Sequence, residues 1–197
     1  LGLPTEGVPS LLRYADLLVE KNKVMNLTAI TAPADIATLH FLDSAALLTL
    51  ADFRNKTVAD VGTGAGFPGM PLRILETSIH LTLLDSLNKR IDFLKEVCAN
   101  LGLSDVECVH ARAEDFAAGH RASFDIVTSR AVASLPLLAE LCRNTRLPVV
   151  AKPNAGLPDP VDGHYDMGPE AFVEALLPCL DAGVTIFGGC CGASPAY

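Results

Sequence analysis

Asp60-Val61-Gly62-Thr63-Gly64-Ala65-Gly66-Phe67-Pro68-Gly69 is the stretch on which the reading of this chain turns. A short apolar run, Thr57 to Val61, precedes it, and a helical pattern through Leu72 and Leu75 follows. Glycines between a strand and a helix let the backbone turn sharply and approach a ligand with no side chain in the way. A dinucleotide fingerprint needs its third glycine at position 67, which is Phe. Pro68 also lacks the N–H that a pyrophosphate seeks at a helix entrance. The turn therefore suits a nucleoside ligand without phosphates.

S-adenosylmethionine, or its product S-adenosylhomocysteine, is such a ligand. Gly62, Gly64 and Gly66 would cradle it, and Asp60 stands where a carboxylate could meet the ammonium of its methionine end. Asp85 ends the next apolar run, about twenty residues past the glycines, where an acid commonly binds ribose hydroxyls. A helix N-cap is the other role open to Asp85. Ala113-Glu114 follows a third run, in the crevice where an adenine would lie; for Glu114 a plain surface carboxylate is equally open.

Working outward, helix and strand alternate. Leu11, Leu12, Ala15, Leu18 and Val19 predict a helix from Pro9 to Glu20, and a second is expected from Ala34 to Leu50. Strands are expected at Thr57–Val61, His80–Leu84, Val106–Val109 and Asp125–Thr128, with helices at Asn88–Leu101 and Ala133–Leu141. Pro148–Ala151, a helix from Pro169 to Leu180 and Gly183–Phe187 complete the pattern. The class is α/β, a Rossmann-like doubly wound parallel sheet, with expected strand order 3-2-1-4-5-6.

The 197 residues suffice for one domain, and 50% hydrophobic with 19% charged residues excludes a disordered chain. No apolar run is long enough to cross a bilayer and no secretory signal is visible, so a cytoplasmic location without membrane contact is expected. A formal charge of −8 gives no general attraction for nucleic acid. Lys89, Arg90 and Lys95 form a local basic group, for which a solvated helix face is the favoured reading. The six scattered cysteines read as reduced core residues.

From Asn22 to Leu141 the chain resembles the bacterial small-subunit ribosomal RNA guanine-N7 methyltransferases, the glucose-inhibited division protein B family. The resemblance is carried by Asn22-Lys23-Val24-Met25-Asn26-Leu27-Thr28, His40-Phe41-Leu42-Asp43-Ser44, the glycine turn, Leu83 to Arg90, Arg112-Ala113-Glu114 and Ser129 to Leu135. It implies cofactor contacts at Gly62, Phe67, Ala113, Glu114 and Arg130. Arg130 would position a phosphate or a base edge, with a salt bridge at the strand end as its other reading. Guanine N7 has a lone pair and no proton to lose, so the reaction asks for placement and not for a strong base.

After Cys142 the composition shifts, and seven of the 13 prolines fall in the last 55 residues. Residues 143–197 resemble the end of the zinc-dependent homocysteine S-methyltransferase barrel. Pro148 to Pro158, Tyr165-Asp166-Met167 and Gly188-Gly189-Cys190-Cys191-Gly192 carry that likeness. Cys190 and Cys191 would be remnants of a zinc site lacking its third ligand, so no zinc is expected. The chain is thus expected to be a single α/β domain, 1–142 of methyltransferase and 143–197 of barrel origin. A strand–helix–strand unit from a TIM barrel would complete the sheet, leaving an unpaired edge where the first family places a closing hairpin. An S-adenosylmethionine-binding chimera with weak or lost methylation of small-subunit ribosomal RNA is the first expectation. An engineered chimera without activity and a zinc-dependent thiol methyltransferase fragment are the alternatives. No protein partner is evident.

Overall fold

The computed structural model describes residues 2, 4–130, 143, 150–151, 165, 167–184 and 186–187. It forms two compact units, residues 1–129 and 130–197. The expected helix Ala133–Leu141, together with Cys142, Lys152, Cys190 and Cys191, lies outside the described residues.

The first unit is built on four parallel strands, β1 (Thr57–Val61), β2 (His80–Asp85), β3 (Glu107–His110) and β4 (Ile126–Ser129), in the order β3-β2-β1-β4. Residues 81–85 of β2 are all buried, as expected of a strand covered on both faces. β3 and β4 are the edges, and Val127 on β4 is half exposed. Helix α1 (Val8–Asn22) begins with proline in its first turn and buries Leu11, Tyr14 and Leu18, one stripe at three- and four-residue spacing. Helix α5 (Asn88–Leu101) buries Ile91, Leu94 and Cys98 likewise. It stops at Gly102, whose φ of 69° takes the left-handed cap favoured by glycine.

The expected helix Ala34–Leu50 is found as an unbroken helical run in four short pieces. They are α2 (Pro33–Asp35), a π-helical segment Ile36–Leu42, α3 (Asp43–Ala45) and a 3₁₀ turn Ala46–Thr49. The Asp43 N–H reaches back five residues to the Thr38 carbonyl, and the Ser44 hydroxyl donates to the His40 carbonyl at 2.6 Å. Ile36, His40, Phe41 and Ala45 along this run are all buried. Helix α4 (Gly69–Leu75) follows the glycine turn, and α6 (Ala113–Gly119), not foreseen in the sequence, follows β3.

In the second unit β5 (Val150–Ala151) and β6 (Ile186–Phe187) pair in parallel, with helix α7 (Pro169–Asp181) between them in sequence. The expected order is therefore found for its first four places. β5 and β6 form a second sheet, and among the described residues no pairing joins it to β4. The barrel origin of this unit is a statement about sequence that the two-residue strands do not address.

Candidate cofactor site

The parallel register brings the ends of four strands to one edge: Val61 lies beside Leu84 and Ser129, and Asp85 beside His110. The order reverses at β1, which has β2 on one side and β4 on the other. In an open parallel sheet that reversal leaves a crevice at the carboxyl ends of the strands, the usual place for a ligand.

The glycine turn fills this position. The N–H groups of Gly62 and Thr63 both donate to the Leu84 carbonyl, at 2.8 and 3.0 Å, which seats the turn on the end of β2. Gly64 and Gly66 have φ of 62° and 106°, where a side chain is strained. Their surroundings differ. A Cβ on Gly66 would press against Leu94 and Met70 at 2.8 Å, whereas on Gly64 it would meet only the Gly62 carbonyl at 3.9 Å. Gly66 thus faces the core, and Gly64 faces open space that a ligand can enter.

Asp85 is buried directly beside that opening. Its Oδ2 accepts the Gly64 N–H at 2.9 Å and lies 3.3 Å from Arg90 Nη1; its Oδ1 accepts the Leu87 N–H at 2.9 Å. A carboxylate offers about four lone-pair sites, so these three contacts leave one on Oδ1. The N-cap of α5 is Leu87, so Asp85 braces the turn just ahead of the helix and retains an acceptor for a hydroxyl.

Asp60 serves the fold. It is fully buried; its Oδ2 accepts the Thr63 hydroxyl at 2.6 Å and the Gly69 N–H at 3.0 Å, and its Oδ1 accepts the Thr128 hydroxyl at 3.0 Å. These bonds tie Asp60 to both ends of the turn and to β4. Phe67 is likewise buried, 5.5 Å from the ring of Tyr14. Ala113 and Glu114 are exposed in the first turn of α6, where a carboxylate is favoured by the helix dipole. Arg130 directly follows β4, is half-buried, and opens the second unit. Lys89 and Lys95 are exposed, as a solvated face requires.

Thr63, Thr128 and Tyr14 were not foreseen. Thr63 and Thr128 complete Asp60, and the Tyr14 hydroxyl donates to the Ala65 carbonyl. Thr63 sits inside the motif, three residues from Asp60, where a hydroxyl next to a buried acid is a signal. Tyr14 and Thr128 act across 51 and 68 residues, a separation no local pattern spans. Among the described residues no three of His, Cys, Asp and Glu gather as metal ligands, and Cys98 and Cys108 are in no disulfide. No described helix is long and apolar enough to cross a membrane.

This geometry suits S-adenosylmethionine: an open glycine face, an adjacent carboxylate with acceptor capacity, and no phosphate-binding helix entrance at Pro68. Comparison with known proteins agrees. The family described as rRNA small subunit methyltransferase G matches residues 8–149, and the homocysteine S-methyltransferase family matches residues 120–197. Ribosomal RNA small subunit methyltransferase G of Desulfitobacterium hafniense (strain Y51) is 57% identical over 129 residues, 64% of this chain and 53% of that one. The protein of the same name from Clostridium botulinum (strain Alaska E43 / Type E3) is 43% identical over 192 residues, 96% of this chain and 75% of its own. The chain therefore spans about half the length of the first relative and three quarters of the second. Among solved structures, the C-terminal domain of precorrin-6Y C5,15-methyltransferase from Rhodobacter capsulatus is 20% identical. Its TM-score is 0.43, with 51% of this chain and 54% of that chain covered. The chain belongs to the rRNA small subunit methyltransferase G family, whose cofactor is S-adenosylmethionine.

Proposed function

We propose that this chain is an S-adenosylmethionine-dependent methyltransferase whose acceptor is a guanine N7 of small-subunit ribosomal RNA. The observation that carries the reading is the pairing of the open Gly64 face with the Asp85 carboxylate. Asp85 would take a ribose hydroxyl on its remaining Oδ1 lone pair while the Gly64 N–H holds its other oxygen in place. Gly62 and Gly64 keep side chains away from the approaching nucleoside. Asp60, through Thr63 and Gly69, fixes both ends of the turn. Ala113 and Glu114 border the adenine side, and Arg130 orients the RNA; these three roles rest on the family's motifs. The cofactor, when bound, supplies a sulfonium methyl to which the N7 lone pair adds, releasing a neutral thioether. No group on the protein has to remove a proton from N7.

Incubation with methyl-labelled S-adenosylmethionine and small-subunit ribosomal RNA, followed by nucleoside mass spectrometry, tests this reading. One 7-methylguanine per RNA, absent with Asp85→Ala, is expected. Saturable cofactor binding with no label in the RNA would contradict it.

A second reading concerns residues 143–197, and the match of 120–197 to the homocysteine S-methyltransferase family favours it. On that reading the segment is of barrel descent, and RNA methylation is weakened because phosphate contacts are missing from a chain of charge −8. The Clostridium botulinum relative, aligned over 96% of the chain, weighs against it. Methylation at the rate of a full-length relative would exclude the second reading.

A further inference from the structure

Asn22 to Thr28 and His40 to Ser44, which the cofactor reading leaves unused, are joined in the structure. Asn22 Oδ1 accepts the N–H groups of Leu27 and Thr28 at 2.8 and 3.1 Å, and its Nδ2 donates to the Thr28 carbonyl at 2.9 Å. Thr28 Oγ1 accepts the Ile30 N–H at 3.0 Å and lies 2.9 Å from Nε2 of His40. One side chain thus closes the loop, and the loop presents one hydroxyl to a buried imidazole.

The imidazole lies against the glycine turn. Its ring stacks on Phe67 with centroids 4.3 Å apart and planes 15° from parallel. His40 sits in the π-helical segment, where it and the neighbouring Phe41 are both buried. The turn is consequently gripped on both sides of Gly66, Ala65 by the Tyr14 hydroxyl and Phe67 by the His40 ring. An apolar side chain would fill the same volume, but it would not be tied to the loop at 22–30. A buried ring nitrogen needs a partner, and Thr28 supplies one.

We propose that His40 is a positioning residue for the cofactor turn, its Thr28-anchored ring fixing Phe67 and so the backbone from Gly64 to Phe67. The proposal rests on the reading that this turn holds the methyl donor. His40 touches neither cofactor nor acceptor in this account; it acts through Phe67.

Hydrogen exchange at residues 62–67 and calorimetric titration with S-adenosylmethionine, on wild type, His40→Ala, His40→Phe and His40→Leu, provide the test. His40→Ala is expected to exchange about 5- to 10-fold faster in the turn, with β1 and β2 unchanged, the factor an aromatic pair supports. Its cofactor affinity is expected to fall by the same factor. His40→Phe keeps the stack but loses the bond to Thr28 and should restore part of both, whereas His40→Leu, equally buried, should restore less. Equal rescue by phenylalanine and leucine would reduce His40 to a space filler and overturn the proposal. So would unchanged turn exchange in His40→Ala, or exchange that rises uniformly through the sheet. If His40→Ala does not fold, the phenylalanine and leucine variants decide alone. Wild-type protein that binds no cofactor would sink the reading of the site, while the exchange pattern would still judge the role of His40.

Discussion

The Gly64 N–H donates to Asp85 Oδ2 at 2.9 Å, so the acid that ends β2 is bonded to the middle of the turn that follows β1. The two residues stand 21 apart in sequence and meet because β1 and β2 pair in parallel, Val61 beside Leu84. One carboxylate therefore shapes the turn and faces the ligand. Loss of Asp85 removes both functions at once, and variants of other residues are needed to separate them.

Gly64→Ala separates ligand access from folding. Its Cβ meets nothing closer than 3.9 Å, so the fold bears only the left-handed strain, about 1 kcal/mol. The new methyl projects into the open side. A near-normal urea midpoint with cofactor affinity lowered at least about tenfold is expected, roughly the 1.4 kcal/mol that one blocked contact is worth. Unchanged affinity would move the ligand elsewhere.

Gly66→Ala should behave oppositely. At φ 106° it adds backbone strain, and its Cβ would collide with Leu94 and Met70. A stability loss of about 3 kcal/mol is expected, read by denaturant unfolding. A loss below about 1 kcal/mol would show that the core under the turn yields more readily than its packing implies.

Asp60→Asn can keep its amide oxygen on the Thr63 hydroxyl and the Gly69 N–H while its nitrogen donates to the Thr128 hydroxyl. What is lost is the charge assistance of those bonds, about 1 kcal/mol. Cofactor affinity measured well below the melting range should change less than in Asp85→Ala. If Asp60→Asn instead abolishes binding in a stable protein, Asp60 contacts the ligand directly.

Acid sensitivity has several sources, three of which tie separate parts of the chain or its turns together. Glu76 is held below the usual carboxylate range by the Ser78 hydroxyl and N–H, Asp105 by the buried Arg73 guanidinium, and Asp125 by the Thr57 N–H and hydroxyl. A carboxyl whose pKa is lower when folded stabilises above its unfolded value and loses that contribution as pH falls through its folded one. Unfolded values of 4.5 for Glu76 and 3.8 for the aspartates set the top of the window. Urea midpoints should therefore hold between about pH 7 and 5 and drop below about 4.5. The double variant Asp105→Asn/Asp125→Asn should be less stable at neutral pH and fall less steeply in acid. An identical slope in the variant would place the acid sensitivity elsewhere.

The central fold was legible because its signals are local. Thr57–Val61 and Asn88–Leu101 have the bounds their periodicity implies, and glycines at 62, 64 and 66 adopt the positive φ that a turn demands. Helix 34–50 is found as an unbroken helical run over 33–49, but its π-helical turn was not legible because apolar spacing assumes a constant period. α6 was overlooked because Ala113-Glu114-Asp115 lacks an apolar stripe, and none of its residues is buried. Asp60 suits an ammonium by type and place, while the bonds it accepts from Gly69 and Thr128 are fixed by the turn and by strand order, neither of which a linear motif records. For Asp85 the sequence left cap and ligand contact open, and its bond from the Leu87 N–H is a turn contact two residues on.

Calorimetric titration of the wild-type protein and Asp85→Ala with S-adenosylmethionine tests the central claim most directly. Saturable one-to-one binding in the wild type, lost or weakened at least about 100-fold in a cooperatively folded Asp85→Ala, is the expected result, since a charged hydrogen-bonding partner is removed. Equal affinity in the two proteins, or no binding to a folded wild type, would contradict a cofactor site built on Gly64 and Asp85.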